Sequence, residues 1–344
     1  MTDLAGFLAS EVEEGSFPGA VALVGGREAV RETAAVGHAV VEPEMIPVAD
    51  DTCFDLASLT KPLVCGALAE VALPALDLRS PPGRYLPEWK ATRYDGISLE
   101  SLLTHTSGLP AWYPVYSRGE GALAYRRTLA TIEPEARPSE RVIYSDLNFL
   151  VFGEILEVYF SAPLDATFAS LVSGPAGSGA RFLPGRSPSV AATEKGDVTE
   201  RRMAEAMGIS YPHFRSGVVW GDVHDGNAYR RGGVAGNAGL FGTARDVWQL
   251  ARPWLDASRR DSTRDRTPAL PEARGLAWQG SRGAGSAVSA MPDSAFGHTG
   301  FTGTSVWLDP QRGQIAVLLT NRVHPLARQV DFNAVRRRFH ERSW

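Results

Sequence analysis

Ser58-Leu59-Thr60-Lys61 places a hydroxyl and an amine three residues apart. On a helix they face the same side. The partial positive charge at a helix N-terminus favours an alkoxide-like oxygen and a neutral amine. A lysine buried there has a lowered pKa and serves as the base that activates the serine. The chain has only three lysines, Lys61, Lys90 and Lys195. Lys61 lies in the least polar stretch, where an unneeded lysine is costly. The plain alternative is a lysine at a helix start that snorkels to water. Pro62 follows; it is tolerated in a first turn and distorts a helix if it lies deeper.

Tyr144-Ser145-Asp146-Leu147-Asn148 is the second group of interest. A tyrosine near Lys61 can share a proton relay, and Asp146 either orients it or caps the following helix. The third is Gly297-His298-Thr299-Gly300-Phe301-Thr302-Gly303. Its glycines let backbone approach a ligand closely. An edge N–H there can hold an oxyanion, with His298 and Thr299 as substrate contacts; the alternative is a plain glycine-rich turn. His105-Thr106-Ser107-Gly108 reads as a helix end. His224-Asp225 has no partner at ligand spacing, so no metal is expected. Gly232–Gly239 is neither a Walker loop nor a dinucleotide fingerprint, and no Gly-x-Ser-x-Gly elbow occurs.

The elements that position these groups follow from periodicity. Leu4, Phe7, Leu8 and Val12 share one helical face up to about Glu14. Gly19–Val24 and Val36–Val41 read as buried strands. Residues 58–73 suit a buried helix, 98–103 a short one, and 147–160 a strongly apolar one capped by Asp146. Residues 303–308 and 314–321 form an antiparallel hairpin, and 330–341 a terminal helix. Stretches 173–189 and 258–274 are loop-like. The expected architecture is an α/β (α+β) fold. A central antiparallel sheet, flanked by helices, is built from residues 1–75 and 215–344. A mostly helical domain, 76–214, is inserted between.

The 344 residues are 44% hydrophobic and 22% charged, the balance of a globular chain with ample core. With 35 basic and 39 acidic residues the net charge is −4, which offers no footprint for nucleic acid. No apolar run approaches the roughly 18–20 residues of a membrane span. Cys53 and Cys65 are too few for a disulfide framework, and Cys65 reads as a buried small hydrophobe. The amphipathic, acidic start lacks the character of a signal peptide, so the chain is read as cytoplasmic.

The order Ser-x-x-Lys, Tyr-x-Asp, His-Thr-Gly resembles the serine β-lactamase and penicillin-binding-protein superfamily, in its class C and family VIII esterase branch. The flanks Phe54–Pro62, Arg84–Trp89, Leu102–Pro110 and Gly239–Ala244 resemble it too, so the likeness runs from about residue 15 to 340. The resemblance implies a β-lactamase/transpeptidase-like fold with its site between the two domains. Ser58 would be the nucleophile, Lys61 its base and Tyr144 the proton shuttle. The N–H groups of Ser58 and Phe301 would hold the oxyanion. Asp146, His298, Thr299 and Gly300 would contact substrate, with Trp112 and Tyr113 as pocket aromatics. Two departures stand out. Asp146 replaces the usual Asn; it can only accept hydrogen bonds and holds Lys61 charged. His298 replaces Lys and is mostly neutral at pH 7. Both resemble esterases and D-amino-acid peptidases of this branch more than penicillin-hydrolysing enzymes.

The expected function is therefore a serine hydrolase working through an acyl-enzyme, foremost a carboxylesterase on small or medium acyl esters, with weak or no β-lactamase activity. A D-stereospecific aminopeptidase or amidase, or a transacylase, is the alternative within the fold; a catalytically silent binding protein is the alternative outside it. No cofactor, nucleic-acid or membrane partner is expected, only a small ester or amide substrate.

Overall fold

Two strands carry almost no polar side chains because both their faces are covered. Gly19–Gly26 is buried nearly throughout and Gln314–Thr320 entirely, the pattern of strands packed on two sides. They pair antiparallel, Ala20 opposite Thr320 and Gly25 opposite Ile315, and form the middle of a seven-stranded sheet. On one side Val30–Val40 and Ile46–Pro47 extend the sheet. On the other Ser305–Asp309, Phe296–Thr299 and Gln279–Gly280 follow in order, every pair antiparallel. The computed structural model describes residues 3–328 and 330–344. The sheet thus comes from segments near the two ends of the chain, 19–47 and 279–320.

One face is covered by the helices Leu4–Glu13 and Phe332–Ser343. Phe7 and Phe339 meet there over Ala22 and Leu318. The other face joins the main core, where Val21, Leu23, Val317 and Leu319 pack with Leu59, Leu63, Leu68 and Val247. Between the sheet segments, 76–214 carries the helices Ala122–Leu129 and Asp146–Phe160 but also two short strands, Arg181–Phe182 and Ala192–Lys195. Both cysteines are free and buried.

Two expectations about local structure need correction. Residues 58–73 do not form one α-helix: Ala57–Leu59 is a 3₁₀ turn, Lys61–Gly66 a π-helix, and only Ala67–Ala72 is α-helical. Pro62 supplies no backbone N–H inside this segment, and the widened turn accommodates the loss. The long helix begins at Asp146, but its cap is Ser145, whose Oγ accepts from the Asn148 N–H. Asp146 is left free for other work.

Candidate active site

The chain turns sharply just before Ser58. Ala57 has φ +47°, a left-handed conformation that costs free energy in a residue with a Cβ. Buried Asp55 holds the turn: Oδ1 accepts from Ala57 N at 2.8 Å and Oδ2 from His224 N at 2.7 Å. The Thr302 and Thr304 hydroxyls donate to the carbonyls of Asp55 and Leu56 at 2.8 and 3.1 Å, tying the glycine-rich loop to the serine. A Cβ at Gly300 would stand 2.7 Å from the Leu56 carbonyl, so only glycine permits that approach.

Three residues after the turn, Lys61 points back. Its side chain is fully buried, with Nζ 2.7 Å from Ser58 Oγ, 3.0 Å from the Asn237 carbonyl and 2.6 Å from Asp146 Oδ1. Burial pulls the Lys61 pKa down, but Asp146 and Tyr144 outweigh it and the net shift is upward. The sequence reading of a lowered pKa is thereby corrected: a carboxylate in contact stabilises the ammonium, which donates to Ser58 in the resting site. The Asn237 carbonyl reaches Lys61 because of Gly236, where a Cβ would collide with the Phe149 carbonyl at 2.2 Å and Cys65 Sγ at 2.8 Å.

Tyr144 lies beside this pair, with Lys61 Nζ 5.1 Å from its ring centroid. Burial around its hydroxyl raises its pKa, against the opposing pull of Lys61 and Ser58. Its ring packs on His105, centroids 4.6 Å apart. His105 Nδ1 accepts from the Ser145 N–H at 2.9 Å, fixing the turn that presents both Tyr144 and Asp146. The segment read as a helix end therefore positions the site. Burial, then Arg274 and Lys61, pushes the His105 pKa well below its usual value and keeps the ring neutral.

The glycine-flanked strand lies on the far side of Tyr144, with His298 5.8 Å from it between ring centroids. His298 is buried, and burial followed by Lys61 and Arg274 drives its pKa far down. Neutral, with Nδ1–H donating to the Thr299 carbonyl at 2.8 Å, it offers no charge to a substrate carboxylate. Thr299 ends the strand and Gly300 begins the turn back, its N–H donating to Thr304 O at 2.8 Å. Phe301 lines the cleft beside Ser58, and its N–H meets no acceptor among the described residues. Ser58 lies in the first turn of its 3₁₀ segment, where N–H groups lack intrahelical partners.

The cleft is also lined by Trp112, Asp146, Glu200, Met203, His224, Asp225 and Asn237. Tyr113 is not in its wall; its carbonyl accepts from Asn227 Nδ2, and Arg118 packs over its ring. Residues 199–238 supply seven of the twelve residues that line the cleft, and the sequence reading gave none of them a role in the site. The signal lay in the glycine-rich stretch 232–239, whose close packing brings Asn237 to Lys61, and in His224-Asp225, which serve the wall: His224 Nε2 meets Glu194 at 3.2 Å.

A family model described as Beta-lactamase matches residues 4–338. A relative named "Putative D-alanyl-D-alanine carboxypeptidase" from Salmonella agona (strain SL483) is 30% identical over 313 residues, covering 80% of this chain and 70% of its own. Among solved structures, EstCE1, a hydrolase with promiscuous acyltransferase activity, superposes with a TM-score of 0.70 at 21% identity, over 96% of this chain and 97% of its own. A penicillin-binding protein homologue from Caulobacter crescentus gives 0.73 at 18%, over 98% and 96%. These structural likenesses establish the expected fold of sheet and helices. With the family model spanning almost the whole sequence, the chain belongs to the Beta-lactamase family and is a serine hydrolase.

Proposed function

We propose that the protein hydrolyses small acyl esters, and amides more slowly, through an acyl-enzyme on Ser58. The observation that carries this is the contact of Ser58 Oγ with Lys61 Nζ at 2.7 Å, in a cleft that also contains Phe301. Asp146 is the departure that needs a mechanism. In the open site it keeps Lys61 an ammonium. The Asp146 side chain is 22% exposed, so water reaches the pair, and as the pH rises Lys61 gives its proton to solvent and becomes an amine beside the serine.

Ser58 Oγ attacks the substrate carbonyl while that amine takes its proton. The backbone N–H groups of Ser58 and Phe301 stabilise the oxyanion. Tyr144 donates its proton to the departing alkoxide or amine and recovers one from Lys61. In the second half, water gives its proton to the same relay as it attacks the ester carbonyl, and Ser58 leaves protonated. The chemistry assigned here uses no metal or organic cofactor, and the substrate is a small molecule met in the cytoplasm. A neutral His298 speaks against carboxylate-anchored substrates, hence against efficient β-lactam turnover. The amidase reading stays in view because of the carboxypeptidase name carried by the 30%-identical relative.

The test is hydrolysis of a p-nitrophenyl ester series. Short acyl groups should be turned over by the native protein, while Ser58→Ala falls by about 10⁴-fold or more. Full retention of activity in Ser58→Ala would remove the nucleophile assignment.

A further inference from the structure

Three arginines follow one another on the terminal helix, and their surroundings differ. Arg338 pairs with Glu11 at 2.7 Å and Arg337 with Asp331 at 3.3 Å, both partly exposed. Arg336 turns inward and is buried. Its guanidinium donates to three neutral oxygens: Gly300 O at 2.6 Å, Thr304 O at 3.2 Å and Asn333 Oδ1 at 3.0 Å. Its Nε has no hydrogen-bond partner among the described residues. Burial and then the nearby Arg322 pull its pKa down to about 9, still above neutrality, so the group remains a cation. A buried cation without a counter-charge is costly, and an apolar side chain at this position would cover the sheet as well.

What the guanidinium holds accounts for it. The Gly300 carbonyl belongs to the same peptide group as the Phe301 N–H, the donor assigned to the oxyanion. On the other side of that residue, Arg322 Nε donates to the Phe301 carbonyl at 2.7 Å, and its guanidinium packs 5.0 Å from the centroid of the Phe301 ring. Neither arginine has a carboxylate partner among the described residues. Consecutive carbonyls are thus each held by a cation, and the N–H between them is left without an acceptor. A charge-assisted bond to a carbonyl draws electron density through the amide and makes its N–H a stronger donor. The two bonds also fix the peptide plane, as a donor that must not reorganise during reaction requires.

Building on the Ser58 reading above, we infer that Arg336 and Arg322 are positioning residues of the oxyanion site: by their bonds to the Gly300 and Phe301 carbonyls they orient and polarise the Phe301 N–H toward the oxygen that becomes negative. Neither guanidinium touches substrate. Their uncompensated charge favours the oxyanion of the transition state over the neutral carbonyl of the ground state, so it acts on kcat and not on KM.

The experiment measures kcat and KM for a p-nitrophenyl ester on the native protein, Arg336→Gln, Arg336→Lys and Arg322→Met. The end point of fluorophosphonate labelling counts the sites, so unfolded protein does not enter the rates. Arg336→Gln keeps a donor and loses the charge. Its kcat should fall by about tenfold or more, less than the 10²–10³-fold of losing an oxyanion donor outright, with KM within about twofold of native. Arg336→Lys restores the charge and should recover most of that loss. Arg322→Met, at a half-buried position, should lower kcat by about threefold or more. In the acyl-enzyme of a slowly hydrolysed pivaloyl ester, the infrared stretch of the acyl carbonyl should move to higher wavenumber in Arg336→Gln and Arg322→Met, the mark of a less polarised bond. An unchanged kcat per labelled site in Arg336→Gln, or a loss with the stretch unmoved, would overturn the inference and leave the Ser58 reading standing. Should Arg336→Gln yield no labelled protein, Arg322→Met decides, and native kcat with a native stretch there would overturn it. Failure of the native protein to be labelled on Ser58 would sink the Ser58 reading and this inference with it.

Discussion

On the Lys61 side of the cleft, charge is matched by charge in contact: the ammonium touches a carboxylate at 2.6 Å, a hydroxyl at 2.7 Å and a carbonyl at 3.0 Å. On the Glu200 side the carboxyls are held by neutral donors: Glu200 accepts from the Gly226 N–H at 2.6 Å and the Tyr116 hydroxyl at 3.0 Å, and Asp225 from the Ala228 N–H at 2.7 Å. The first wall is organised before any substrate arrives, as acyl-transfer chemistry requires of groups that must not reorganise in the transition state. The second carries carboxyls with no cation within ion-pair distance among the described residues, so it turns an acidic face to the cleft. The difference separates the groups that react from the groups that choose.

Perturbing the first wall should therefore reduce kcat on every substrate alike. The largest effect after loss of the serine is expected for Lys61→Ala, which removes the proton acceptor and leaves the half-buried Asp146 without its partner. Acylation measured by burst kinetics should fall by about 10²–10⁴-fold, with no change in the ranking of substrates. A change of ranking would mean that Lys61 also reads the acyl group, and the separation of the walls would fail. Tyr144→Phe should cost less, about 10²-fold, and its cost should grow with the basicity of the leaving group. Equal loss on p-nitrophenyl and ethyl esters would count against its role as the acid.

The sharpest probe of the matched wall is also the mildest. Asp146 raises the Lys61 pKa by stabilising the ammonium, so that more alkaline solution is needed to free the amine. Asp146→Asn removes that stabilisation, the pKa falls, and the acid limb of the kcat/KM profile should move to lower pH. At its optimum the variant should stay within about tenfold of native, since the amide still accepts a hydrogen bond. A limb that stays put or moves upward would show that Lys61 does not titrate in the free enzyme.

The same division tracks what could be read from the sequence. Ser58 and Lys61 are three residues apart, so local geometry alone brings them together, and Tyr144 and the His298 segment carry recognisable neighbours. The hairpin 305–320, the first helix and the sheet's apolar centre were legible because burial on one or two faces imposes a period or a run. What escaped depends on long-range packing. That Asp146 holds Lys61 charged came from the resemblance alone, and nothing local says that Ser145 rather than Asp146 takes the cap, since both residue types cap helices well. Nor does local pattern show that a Cβ-free Gly236 brings Asn237 to a lysine 176 positions away. Glu200 looks like any acid in the first turn of a helix. Pro62 was the one local clue to the π-helical segment, and its effect depended on how deep in the helix it fell.

The central proposition, a serine that carries the acyl group, is tested most directly by intact-mass analysis after brief exposure to a fluorophosphonate and to a short acyl ester, followed by peptide mapping. A single adduct of the expected mass on the peptide containing Ser58, absent in Ser58→Ala, is the predicted result. An adduct on another residue, or one that persists in Ser58→Ala, would contradict it.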